Sequence, residues 1–282
     1  MNSNTLTDLT TPLLELVKKR YLAVFGHRII AMFTLGSLGS HGDFSPCSDI
    51  DVAVFLDNIK KEDQDSVLEL WNELKASKLP YAEVLSVFWS SYDKATFSQG
   101  IGRFPALDRL DLIDHGKLIY GIDKRSGLPK PTAQEMLHES AEFIISYLLT
   151  TEKLEELILK PKIIINKGAR YYTKFVLFPV RLLLTLENPS IVASNHDAVK
   201  AFCKHNHYSK EIKTLVKNAY QLRNLASDTT PNIDNPKDFQ RNLISLYGYC
   251  LNQYHKWLLS LDTKLAFQIG ALQERITKPN PS

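Results

Sequence analysis

The 282-residue chain is long enough for two domains, each able to bury a core, and its 44% hydrophobic and 23% charged residues are ordinary for a globular protein without repeats or low-complexity tracts. A net charge of +3 is only mildly basic, so composition by itself does not select nucleic acid as a partner. Cys47, Cys203 and Cys250 are widely spaced and contain no CxxC pair, which argues against a disulfide framework and for a reducing compartment.

The first residues, Met1 to Asp8, are polar, with neither a cationic start nor an apolar run of signal type. No stretch reaches the roughly 18 to 20 apolar residues of a membrane helix. The nearest, Phe175 to Leu186, is broken by Pro179 and Arg181. The expectation is a soluble, cytoplasmic protein with no membrane partner.

From Thr7 to about Phe25, Leu13, Leu14, Leu16, Val17, Tyr21, Leu22 and Phe25 recur at helical spacing. Arg28 to Leu35 is a β-rich apolar run that ends at a glycine. Asp49 to Phe55 reads as a second strand, Lys60 to Ser77 as a helix, and Tyr81 to Trp89 as a third strand. Beyond Tyr120 the strand signal fades. Ala133 to Leu159, Ile165 to Leu186, His196 to His205, Lys210 to Leu225 and Asp238 to Lys278 all read as helices, the first opened by a Thr132/Glu135 capping box. The tail from Lys278 looks frayed. The turn-rich bridge Gly127-Leu128-Pro129-Lys130-Pro131-Thr132 sets the expected division: an α+β domain over residues 1–126, with a small mixed sheet flanked by helices, and an all-α bundle over 127–282.

The chemistry begins at the end of the first strand. Gly36-Ser37 lets the backbone approach a ligand closely, because glycine carries no side chain, and Ser37 adds a hydroxyl donor. By itself this is a tight turn. Asp49 and Asp51, however, lie two apart on a strand and project the same way, while Ile50 and Val52 face the core. Adjacent carboxylates repel unless a cation sits between them, and Mg²⁺, held by carboxylates and substrate phosphates, suits that pair. Glu83 stands near the start of the third strand, where it is either a third metal ligand or a general base for an attacking hydroxyl.

Gly36-Ser37, then a spacer, then Ser48-Asp49-Ile50-Asp51, then an acid on a later strand resembles the nucleotidyltransferase superfamily that includes DNA polymerase β and the aminoglycoside nucleotidyltransferases. Within it, the chain looks most like the streptomycin and spectinomycin adenylyltransferases, which join a catalytic domain to a helical bundle. Arg181 to Lys200 resembles their helix, turn and following helix start. Those enzymes tend to place a lysine near the nucleotide phosphates where this chain has Asn195-His196, so His196 and Lys167 are taken as the bundle's nucleotide contacts, with Arg170, Lys174 and Arg181 as further candidates.

The resemblance implies ATP as co-substrate and Mg²⁺ as cofactor. The triphosphate would lie along Gly36, Ser37 and Ser48, with Asp49, Asp51 and Glu83 as metal ligands or catalytic groups. The acceptor would be an aminoglycoside-like small molecule in a cleft closed by the bundle, and the protein a monomer or homodimer. Two other classes remain: a nucleotidyltransferase acting on a protein or RNA, and a non-catalytic nucleotide-binding module, the latter disfavoured by the intact motif. No basic stripe interleaved with aromatics points to nucleic acid.

The remaining features have plain readings. Asp108, Asp111 and Asp114 recur every third residue as a solvated helix face or an attractor of a cationic substrate. His205 and His207 read as a surface turn, Trp89, Tyr92, Tyr171, Tyr172, Phe175 and Phe178 as packing, and Cys47 as incidental.

Overall fold

The computed structural model describes residues 3–40, 42–95, 101–102 and 104–278, so the tail at 279–282 lies outside the described residues. The chain divides into two compact units, Met1–Pro131 and Thr132–Ser282.

In the first unit, helix α1 (Ser3–Phe25) leads into strand β1 (Ile29–Leu35). It is followed by β2 (Ile50–Leu56), α2 (Asp63–Lys75), β3 (Leu85–Ser91), α3 (Ala106–His115) and β4 (Lys117–Gly121). The sheet order is β3-β2-β1-β4. Strand β1 runs antiparallel to β2 and β4, and β2 runs parallel to β3, so the sheet is mixed. Strand β2 is buried on both faces. Ile50, Val52 and Val54 enter a core with Leu13, Val17 and Tyr21 of α1 and Leu70 and Leu74 of α2, while Ala53 and Phe55 enter a second core with Phe104 and Leu112.

The third strand begins later than the sequence predicts. Tyr81 takes a left-handed backbone (φ 67) and Ala82–Val84 form a 3-10 turn, so the extended run starts at Leu85. Helix α3 carries Asp108, Asp111 and Asp114, read from sequence as a helix face, and strand β4 has no counterpart among the expected elements.

The second unit is wholly helical among its described residues. Its core joins Leu154, Tyr172, Phe175, Val176, Leu243, Tyr247 and Ile269, among others. Three expected long helices are each divided. Ala133–Phe143 (α4) is opened by the Thr132/Glu135 capping box and runs into a π turn at Ile144–Leu148, and Thr150 then caps Thr151–Ile158 (α5). Pro161–Asn166 (α6) and Ala169–Glu187 (α7) part at Gly168, whose φ of 88 an L side chain rarely adopts. After Asn195–Lys204 (α8) and Lys210–Leu222 (α9), Pro236–Leu258 (α10) and Thr263–Thr277 (α11) part where Asp262 caps the second of them. Apolar periodicity runs through all three breaks, which is why the sequence reads them as continuous.

Pro179 sits inside α7. Its missing N–H deprives the Phe175 carbonyl of its usual i+4 donor. The buried Tyr247 hydroxyl of α10 donates to that carbonyl at 2.8 Å, so the core supplies the bond the helix lacks. Among the described residues no helix is long and apolar enough to cross a membrane.

Candidate active site

Strand β1 ends at Leu35, which is paired with Asp51 across the β1–β2 ladder. The next residue, Gly36, turns into the left-handed region (φ 60) and opens the 3-10 turn Gly36–Leu38. A Cβ placed on Gly36 would lie 3.1 Å from Asp51 Oδ2. The missing side chain therefore lets the turn lie against the carboxylate, and Gly36, Ser37 and Asp51 share one end of the sheet.

Asp49 and Asp51 are half-buried on either side of the fully buried Ile50. Asp49 stands just before β2 and Asp51 within it. Ser48 is buried, and its hydroxyl accepts the Ser45 N–H at 3.0 Å while its own N–H donates to the Ser45 carbonyl at 2.9 Å. This residue shapes the loop that delivers Asp49.

Asp111 is a member of the site that sequence reasoning read differently. It is 5% exposed, and its Oδ2 accepts the Gly36 backbone N–H at 2.5 Å. Four residues further on, Ser40 N–H donates to the His115 carbonyl at 2.6 Å, so the turn rests on the C-terminal end of α3. Arg125 closes the same helix end, donating to the carbonyls of Leu112 at 3.1 Å and Gly116. The three regularly spaced acids do not share a face: Asp111 points inward, and Asp114 is exposed and pairs with Lys130 at 2.5 Å. The signal for this was the position of Asp111 between the apolar Leu110 and Leu112.

Glu83 is the exposed residue of the 3-10 turn ahead of β3, between the buried Ala82 and the half-buried Val84, and the β3 residue beside Asp51 is Ser86. No group of three or more His, Cys, Asp or Glu side chains able to hold a metal is found among the described residues. The Asp49/Asp51 pair nevertheless fits Mg²⁺, which takes hard oxygen ligands and is commonly bound by one or two carboxylates with substrate phosphates completing its shell.

In the helical unit, Lys167 and His196 belong to different surroundings. Lys167 Nζ sits 2.6 Å from Oε1 of the buried Glu156 and 4.6 Å from the centre of the Tyr171 ring. It lines a cavity of about 330 Å³, together with Arg170 and Lys174. His196 is exposed in the first turn of α8, with Nδ1 3.4 Å from the Tyr220 hydroxyl. Tyr171, Phe175 and Phe178, expected only to pack, also line the cavity. Tyr92 does pack, stacking on Phe55 with ring centres 4.4 Å apart. Cys47, Cys203 and Cys250 are free thiols.

No protein-family profile matches the chain. No curated protein sequence matches it either. Among solved structures, the spectinomycin adenyltransferase AAD(9) from Enterococcus faecialis, determined with ATP and spectinomycin, is similar with a TM-score of 0.55 at 15% identity over 95% of this chain and 99% of that one. The two chains therefore share a fold along nearly their whole lengths, which agrees with the α+β architecture expected from sequence.

Proposed function

We propose that this protein transfers an adenylyl group from ATP to a hydroxyl of a small, aminoglycoside-type molecule in the cytoplasm, acting as a monomer or homodimer, with the units 1–126 and 127–282 as catalytic and substrate-closing domains. The observation that carries this reading is the abutment of Gly36 on Asp51: a turn able to approach phosphate lies against one carboxylate of the Asp49/Asp51 pair. The fold shared with an adenyltransferase determined with ATP and spectinomycin supports the same chemistry.

In this reading the triphosphate lies along Gly36, Ser37 and Ser48, and Lys167 and His196 contact the nucleotide from the helical unit. Asp49 and Asp51 hold Mg²⁺, with Glu83 as third ligand or as base. Mg²⁺, when bound, neutralises charge on the phosphate oxygens. The acceptor hydroxyl loses its proton to a carboxylate, for which Glu83, exposed at the head of β3, is the choice, and its oxygen attacks the α-phosphorus. The bond to the β-phosphate oxygen breaks, and pyrophosphate leaves with the electron pair. Asp111 positions the turn by fixing the Gly36 N–H.

The test is incubation of the full chain with labelled ATP and Mg²⁺ against aminoglycosides, spectinomycin, lincosamides and candidate proteins, followed by mass measurement. A gain of one adenylyl group on a small molecule supports the reading. An adduct confined to a protein overturns the acceptor class, and the absence of pyrophosphate release with every acceptor overturns the reaction.

A further inference from the structure

The cavity of the helical unit has a chemistry of its own. Four cations, Lys153, Lys167, Arg170 and Lys174, line its roughly 330 Å³ with Asp228, and Glu156 and Glu152 stand at Lys167, so among the described residues cations outnumber carboxylates there. Aromatic rings supply much of the remaining wall, among them Tyr147, Tyr171 and Phe178.

The cations are held in place. Lys153 Nζ stands 3.8 Å from the centre of the Tyr147 ring and donates to the Tyr147 carbonyl at 2.6 Å. Lys167 is anchored by Glu156, which also accepts from the Tyr171 hydroxyl at 2.7 Å. Tyr147 and Leu148 reach the cavity from the π turn that interrupts the helical run, a local irregularity often found at ligand sites. Arg170, Tyr171 and Lys174 come from the start of α7, which carries no acidic residue in its first turn. Burial, and then the charges of Lys174 and Lys167, hold the Lys153 ammonium below the ordinary lysine range, against the pull of Glu156 and Glu152. A bound anion favours the charged form of each of these cations, in addition to what Glu156 supplies.

We infer that this cavity is an anion site that takes a phosphate-bearing ligand with a planar ring, the phosphate among Lys153, Lys167, Arg170 and Lys174 and the ring against the tyrosine and phenylalanine faces. It disfavours a polycationic molecule. For a nucleotide ligand the inference rests on the proposed nucleotide contact at Lys167 and deepens it; its observations are residues of the helical unit alone. Two sources share the required chemistry, a nucleotide and a phosphorylated small molecule.

Calorimetric titration of the full chain with phenyl phosphate, without Mg²⁺ so that binding is read apart from turnover, tests it. Phenyl phosphate is expected to bind wild type and to lose about tenfold or more in affinity in K174E and in K153E, with weakening by salt. Where a charge reversal does not fold, K174M, which keeps the aliphatic stem, is expected to lose about threefold or more. Competition by ATP identifies the cavity with the nucleotide's phosphates, and simultaneous binding identifies a second phosphate-bearing molecule; either supports the anion site. Absence of binding at millimolar phenyl phosphate, equal binding by the folded variants, or kanamycin binding that is tighter than phenyl phosphate and tightens further in K174E overturns it. A chain that binds phenyl phosphate but releases no pyrophosphate overturns only the transfer reaction, and the converse overturns only the anion site.

Discussion

The carboxylate of Asp111, buried on α3, accepts the backbone N–H of Gly36 at 2.5 Å. Helix α3 and the Gly36 turn are thereby tied at the residue where the turn begins. Asp111→Ala leaves that N–H without its acceptor, at a cost of about 1–3 kcal/mol in stability. Pyrophosphate release is expected to fall about tenfold or more as the turn loses its position, while Asp111→Asn, which keeps a carbonyl acceptor, retains most of it. Thermal melts beside a pyrophosphate assay separate the two effects. Wild-type turnover in Asp111→Ala would mean that the turn keeps its shape unaided.

Gly36→Ala combines two penalties. The left-handed backbone costs an L residue about 1–2 kcal/mol, and the new methyl group meets Asp51 Oδ2 at 3.1 Å. The methyl presses on the proposed metal-binding carboxylate, so turnover is expected to fall further than stability. Steady-state kinetics and a denaturant melt on the same preparation check the ranking.

The three acids named from sequence are expected to divide by role. Asp49→Asn and Asp51→Asn should abolish Mg²⁺-dependent pyrophosphate release with an unchanged circular dichroism spectrum. Glu83→Gln should leave ATP binding near wild type and slow transfer by about 10²–10⁴-fold if it is the base. Full activity of Glu83→Gln would move the base elsewhere.

Asp63 provides a pH-dependent contribution to stability. Arg28 donates to both of its oxygens, at 2.8 and 2.7 Å, and the Lys60 N–H adds a bond at 2.8 Å. These bonds, Arg28's first, hold the carboxyl below the ordinary aspartate range against the opposing effect of burial. The folded state therefore prefers the ionised form. Its stabilisation is present above the unfolded value of about 3.9 and is lost as pH falls through the lower folded value. Asp63→Asn is expected to lose about 1–2 kcal/mol at neutral pH, a deficit that shrinks below about pH 4. Urea melts across that range measure it, and a deficit that stays constant into acid would contradict the assignment.

Tyr247→Phe removes the donor that serves the Phe175 carbonyl beneath Pro179. The expected loss is about 1–3 kcal/mol, from an unsatisfied buried carbonyl. Pairing the change with Pro179→Ala, which restores the helix's own donor, should recover part of it in a double-mutant cycle.

Much of both units was legible because the signals are local. Gly36-Ser37 ends an apolar run, Asp49 and Asp51 flank Ile50 at the spacing of a strand, and Thr132 with Glu135 announces the helix that follows. Glu83 was read inside its strand, which starts four residues later than expected, because the left-handed Tyr81 and the 3-10 turn after it leave no mark on an apolar run. The helix breaks at the π turn, at Gly168 and at Asp262 were hidden for the same reason.

The sequence by itself determined the α+β arrangement, the turn at Gly36 and the carboxylate pair, since alternation along a strand and capping of a helix depend on residues a few positions apart. Only the tertiary structure decided that Asp111 faces inward and Asp114 outward, that Ser86 stands beside Asp51, and that Lys153, Lys167 and Lys174 share one cavity. Whether a charged side chain is buried or solvated is set by the elements that pack against it, and those come from distant parts of the chain.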